Sequence, residues 1–295
     1  MVRKDVRLGW VKQSHDSRDL HFRSVMAPQA LPTSVDLTDA YFVPVVDQGQ
    51  LGSCTGNGIA SGLAYLQAKE EMAFNYPSRL FIYYNERAIE GTVSQDAGAN
   101  IRDGIKTVVD LGFCPETDWP YDISKFTNKP SATAYSDALT DVVKTYQAVG
   151  TDNTSVMSAL ALGYAVIIGI DVYDSFMSSN TGDIPMPDLN NESLQGGHCI
   201  IVVGYDQATK RFKFENSWGT SWGQNGFGTL PFAYLPKYGS DFWIVTGDTP
   251  TPVPPTPGPT PGPTPTPAPP ATNWKPWVIL GVIVIVIAAF AVLIR

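Results

Sequence analysis

"ENSWGTSWGQNGFG", residues 215–228, holds four glycines and two tryptophans in fourteen residues. A run of this kind reads first as a β-hairpin loop with packed aromatics. A second reading starts from Asn216. Its side-chain oxygen can accept a hydrogen bond from an imidazole N–H, and Trp218 can cover that bond and exclude water. The second reading needs a histidine and a nucleophile elsewhere in the chain.

Only three histidines are present: His15, His21 and His198. The first two lie in a polar N-terminal arm and read as surface residues. His198 opens the strand-like run "HCIIVVGYD" behind Gly196 and Gly197, 18 residues before Asn216. The nucleophile candidate lies in "DQGQLGSCTGN", residues 47–57, where a glycine-rich run turns into a helical pattern. Cys54 sits at that junction. Unpaired backbone N–H groups and the helix dipole favour negative charge there, so a lowered thiol pKa is expected. Taken alone, a single cysteine is more often inert core.

The rest of the chain arranges these residues in two halves. Apolar spacing predicts helices over 54–72, 78–90, 99–113 and 154–164, the third stopping at Gly112. Strand-like runs follow at 165–173, 198–206, 211–218 and 241–248. Helices first and strands second imply an α+β domain, not alternating βαβ units.

Composition changes sharply after this domain. Twelve of the 23 residues from 249 to 271 are proline, which excludes helix, sheet or core and predicts an extended linker over 249–272. Residues 277–294 then form an 18-residue uncharged run inside the segment 273–295. As a helix it is about 27 Å long, near the hydrocarbon thickness. Trp274, Lys275 and Trp277 on one flank and Arg295 on the other suit interfacial anchors, so a single-pass C-terminal membrane helix is expected. Which side the domain faces stays open. The late position of the helix favours tail-anchoring, whereas the Thr/Pro stalk suits an extracellular spacer.

The net charge of −8 and the lack of a basic cluster argue against nucleic-acid binding. Cys54, Cys114 and Cys199 cannot build a disulfide framework, and no ligand spacing suggests a metal. No cofactor is implied. The first 33 residues lack the apolar stretch of a secretory leader and read as an arm or a short pro-segment.

Together, the blocks around Cys54, His198 and Asn216 resemble the active-site blocks of the papain-like cysteine peptidases, in the same order. The resemblance spans about residues 34–245, in a domain bounded at 34–248. It implies a two-subdomain α+β fold, with a helical left part and an antiparallel β-barrel-like right part. Cys54 would be the nucleophile, His198 the general base and acid, and Asn216 the residue that orients the ring. Gln48, six residues before Cys54, would be the side-chain donor of the oxyanion hole. Gly98 and Trp218 would lie beside bound substrate. Substrates would be proteins or peptides, hydrolysed by a monomeric enzyme through a thioester.

Two positions depart from the family. Leu51 stands where a bridging cysteine is usual, which suits reducing conditions. Thr55 stands where tryptophan usually follows the nucleophile, altering the oxyanion-side wall. The family's long inhibitory propeptide is missing from the 33-residue arm. An acyl transferase using the same residues, or an inactive binding module on a membrane stalk, are the rival readings.

Overall fold

The computed structural model describes residues 6–14, 16–22, 31–139, 143 and 145–247. The linker and the apolar run at 277–294 lie outside the described residues. Among the described residues no helix is long and apolar enough to cross a membrane.

After the short α1 (Leu37–Ala40), the helical half is built on α2 (Cys54–Lys69), with α3 (Arg79–Glu90) and α4 (Ile101–Leu111) packed beside it. Each boundary has a local cause. Ser78 accepts from the Phe81 N–H to start α3, and Gly91 ends it in the left-handed conformation. Gly112, with φ of 74°, caps α4 as the sequence predicts. Helix α2 stops at Lys69, three residues short of the expected end, and the chain turns through Glu71 at φ of 54°.

The second half is one antiparallel sheet. Its strands are β1 (Ser34–Asp36), β2 (Thr145–Ala148), β3 (Val166–Tyr173), β4 (Leu194–Asp206), β5 (Arg211–Glu215), β6 (Phe227–Pro231) and β7 (Gly239–Thr246). The order is β2-β7-β3-β4-β5-β6, with β1 paired to β4. The path ends at β2 and β6 without those two pairing, so the antiparallel expectation is met, but by an open sheet in place of a barrel-like one. Strands β1, β2 and β6 escape the sequence patterns because they are only three to five residues long. β6 lies at the end of the glycine-rich run first read as a loop.

α2 lies directly on the sheet, and its glycines make this possible. A Cβ on Gly58 would sit 2.6 Å from Cys199 Sγ, and one on Gly62 would sit 2.8 Å from Ile167. Every residue from Cys54 to Gln67 is buried. Ile59 and Leu63 of α2 share one core with Ile105 of α4 and with Ile167, Val202 and Phe214 of the sheet. This close contact holds the N-terminus of α2 against the strand that carries His198.

Candidate active site

Cys54 is the first residue of α2, and its side chain is fully buried. The backbone amides of Cys199, Gly9 and Thr55 lie near the sulfur and favour its charged form. His198 and Asn216 are also buried. Nε2 of His198 lies 2.8 Å from Oδ1 of Asn216. The same oxygen accepts from the Ser217 N–H at 2.9 Å, which fixes the amide. An amide oxygen can only accept, so Nε2 carries the hydrogen and Nδ1 is left as the basic nitrogen. Trp218 lies over the imidazole with ring centres 5.1 Å apart, and Phe176 meets the ring edge-on at 6.3 Å. Sequence reasoning missed Phe176, which sits in the short helix Asp174–Ser178 and has no motif to mark it.

Gln48 is held from both ends of its amide. Its Oε1 accepts from Ser217 Oγ at 2.6 Å, and its backbone N–H donates to the Ser217 carbonyl at 2.8 Å. Nε2 donates to the Leu51 carbonyl at 3.0 Å and to the Arg7 carbonyl at 2.9 Å. The glycine turn is anchored by Asp96, which accepts from the Gly52 N–H at 3.0 Å and from Tyr83 Oη at 2.5 Å. Asp96 opens the "DAGAN" run of Gly98, and sequence reasoning passed over it.

The two departures are explained by packing. Leu51 is buried against Leu80 and Tyr83, so an apolar contact stands where a bridge would be. The three cysteines are free and buried. Thr55 does not line an oxyanion wall. Its hydroxyl turns into the helical half and donates to Glu86 Oε1 at 2.5 Å.

The N-terminal arm runs through the site. The Arg7 carbonyl takes one donor of Gln48, and Arg7 also pairs with Asp96 at 3.0 Å. The Trp10 N–H donates to the Gly197 carbonyl at 3.1 Å. Trp10 and Ala99 make a parallel bridge, in which the Val11 N–H donates to the Ala99 carbonyl at 3.0 Å and the Ala99 N–H donates to the Gly9 carbonyl at 2.9 Å. The Trp10 indole lies on Gly169, and its Nε1 donates to Asp241 at 3.1 Å. Glycines permit this approach. A Cβ on Gly9 would sit 1.8 Å from the Gly52 carbonyl oxygen, and one on Gly98 would sit 2.0 Å from the Gly9 carbonyl oxygen.

This cover reverses the electrostatics that the sequence predicts for Cys54. Burial pushes the thiol up to about 12, outweighing the three backbone donors. Burial also pushes His198 down to about 4, although Asn216 acts in the opposite sense. Both groups are therefore neutral at pH 7 beneath the arm. The expected lowering of the thiol pKa fails here because the arm removes the solvent that would support a thiolate.

Comparison with known proteins follows the same lines. Residues 31–232 match the family model described as papain family cysteine protease. The uncharacterized peptidase C1-like protein of Acanthamoeba polyphaga mimivirus is 36% identical over 269 residues, covering 80% of this chain and 86% of that protein. The crystal structure of xylellain, a cysteine protease from Xylella fastidiosa, is similar with a TM-score of 0.77 and 34% identity, covering 84% of this chain and all of that one. The bromelain protease of Ananas comosus shares the fold at 17% identity and a TM-score of 0.59, covering 74% of this chain.

Proposed function

Since the chain belongs to the papain family of cysteine proteases, and is thereby a peptidase and a hydrolase, we propose that it cleaves peptide bonds with Cys54 as nucleophile. The observation that carries this reading is the buried His198–Asn216 hydrogen bond of 2.8 Å, together with the buried Cys54 at the N-terminus of the helix packed on the strand of His198. His198 Nδ1 takes the thiol proton, and the thiolate attacks the scissile carbonyl carbon. The Gln48 side chain and the Cys54 N–H receive the charge that develops on the carbonyl oxygen. The imidazolium then protonates the leaving amine. Water, deprotonated by the same ring, hydrolyses the thioester and restores the thiol.

The arm-covered state does not turn over in this scheme. The Arg7 carbonyl occupies one donor of Gln48, and the backbone of Gly9 lies near the sulfur. Catalysis requires the arm to leave, which rehydrates the cleft and lets the Cys54–His198 pair ionise. Gly98, where the arm backbone now passes, and Trp218, above the ring, are the places we assign to peptide contact. A binding-only role would have no use for Gln48, Cys54, His198 and Asn216 in one connected set.

We further place the enzyme on a membrane through a single helix at 277–294, on the strength of that uncharged run. The substrate test is cleavage of a peptide library by the full-length chain in detergent. Cleavage is expected, with none from Cys54→Ala. Cleavage that survives Cys54→Ala would sink the assignment. Extraction of the intact chain by alkaline carbonate would sink the membrane anchor.

A further inference from the structure

Glu215 stands immediately before Asn216 at the end of β5, and its side chain is buried. Its Oε1 accepts from Ser61 Oγ at 2.9 Å and its Oε2 from Tyr65 Oη at 3.0 Å. Both hydroxyls belong to α2. Cys54, Gly58, Ser61 and Tyr65 are spaced four, three and four apart, so they share one face of that helix. The face that presents the nucleophile at one end is thus bound further along by the residue next to Asn216.

We propose that Glu215 is a positioning residue for the catalytic set, a carboxylate that ties the helix of Cys54 to the strand end bearing Asn216. The inference rests on the peptidase reading for its purpose, but not for its test.

The carboxylate has no cation to neutralise it among its hydrogen-bond partners. From α2 it meets only the Ser61 and Tyr65 hydroxyls. Tyr76 reaches it through Ser61, with the two oxygens 2.9 Å apart. β4 brings the buried thiol of Cys199 to the same small cavity, and β6 pairs Phe227 with Glu215. Asp36, paired with Lys213 at 2.6 Å, acts on Tyr65, and Arg79 and Glu116 act on Tyr76. Burial raises the carboxyl to about 7 against the pull of the two hydroxyls.

The two protonation states bind α2 differently. Ionised, the group accepts from both hydroxyls. Protonated, its own O–H must find an acceptor, and Ser61 or Tyr65 has to turn from donor to acceptor. Glu215 is covalently joined to Asn216, so this rearrangement moves the backbone from which the orienting amide projects. A cavity of about 10 Å³ lined by Ser61, Cys199, Glu215 and Asn216 leaves room for the shift. Asn216 Nδ2 is buried there with no hydrogen-bond partner among the described residues, so the amide is held only through its oxygen.

The test reads His198 directly. His198 is held down at about 4, so it does not itself titrate near neutrality. The full-length chain, labelled with ¹⁵N-histidine in detergent, is titrated from pH 5 to 9 by NMR. An inflection near pH 7 in the His198 Nε2 resonance is expected. Glu215→Gln should abolish it. Tyr65→Phe removes one donor to the carboxylate and keeps the shape of the ring. It should move the inflection upward by roughly half a pH unit or more. A flat native titration, or an inflection that survives Glu215→Gln, would overturn the proposal. Should Glu215→Gln not fold, Tyr65→Phe decides alone, and an unmoved or lowered inflection rejects the role. A carboxylate with a purely structural part would change melting and leave the ring titration unaltered. None of these readouts needs turnover, so absence of peptidase activity leaves this result separate.

Discussion

Nε2 of His198 lies 2.8 Å from Oδ1 of Asn216, while Nδ1 of the same ring has no hydrogen-bond partner among the described residues. One nitrogen is committed to orientation and the other is left for the thiol. Asn216→Ala should therefore lower kcat of the arm-released enzyme by about 10²-fold or more, within the range of general acid–base contributions. KM should change far less. Steady-state kinetics on a peptide substrate, with melting as a fold control, checks this. An unchanged kcat would remove Asn216 from the mechanism.

Gly9→Ala tests the arm. The new Cβ would fall 1.8 Å from the Gly52 carbonyl oxygen, and backbone atoms on both sides leave the arm to move away. Each 1.4 kcal/mol lost from the covered state exposes the site about tenfold more often. Peptide turnover by the full chain should rise by about tenfold or more. Alkylation of Cys54 by a small reagent, followed by mass spectrometry, should accelerate in parallel. Equal rates in both chains would show that the arm does not control access.

In the unaltered chain, burial sets the pH dependence of that alkylation. With Cys54 held up at about 12, the thiolate fraction keeps growing about tenfold per pH unit beyond pH 9. An ordinary thiol would level off there. A plateau at pH 9 in the native chain would mean that the covered state does not hold the thiol neutral.

Glu215 and His198 pull stability in opposite directions with pH. The Glu215 carboxyl is raised from 4.5 to about 7. Its contribution is fully present below about pH 4.5 and is lost as pH rises through about 7. His198 is lowered from 6.5 to about 4, so its contribution is present above about pH 6.5 and is lost as pH falls through about 4. Each is worth about 3 kcal/mol, and the slopes oppose each other between about pH 4.5 and 6.5. The stability difference between Glu215→Gln and the native chain should therefore shift in favour of the variant by about 3 kcal/mol from pH 4.5 to 8. Denaturant unfolding of the two chains at several pH values measures it. A pH-independent difference would place the Glu215 carboxyl at its ordinary value.

Thr55 offers a last test, of packing beneath the nucleophile. Its hydroxyl is the hydrogen-bond partner of Glu86 Oε1, and Oε2 of that buried carboxyl has none among the described residues. Burial pushes Glu86 well above the usual carboxylate range. Thr55→Val keeps the shape and strands both oxygens, so it should cost about 1–3 kcal/mol in urea unfolding. Glu86→Gln removes a charge that burial already disfavours, so it should cost less. The opposite ranking would contradict the raised carboxyl pKa of Glu86.

The sequence alone marked the longer elements in their order, helices before strands, and named the candidate set. Helical spacing marked α2, α3 and α4, Gly112 marked an end, and long apolar runs marked β3, β4 and β7. Those signals are local, because side-chain periodicity and glycine's freedom act within a few residues. The motifs around Gln48, Cys54, His198 and Asn216 were legible because each block is contiguous. What only the tertiary structure decided depends on residues far apart in the chain. Gly58 and Gly62 admit Cys199 and Ile167, and so seat α2 on the sheet. Glu215 reaches Ser61 and Tyr65 across about 150 positions. Above all, the arm from Arg7 to Val11 covers the site and inverts the thiol's expected pKa. No local pattern carries that outcome, because desolvation is set by whatever the folded chain lays over a group, not by its neighbours in sequence.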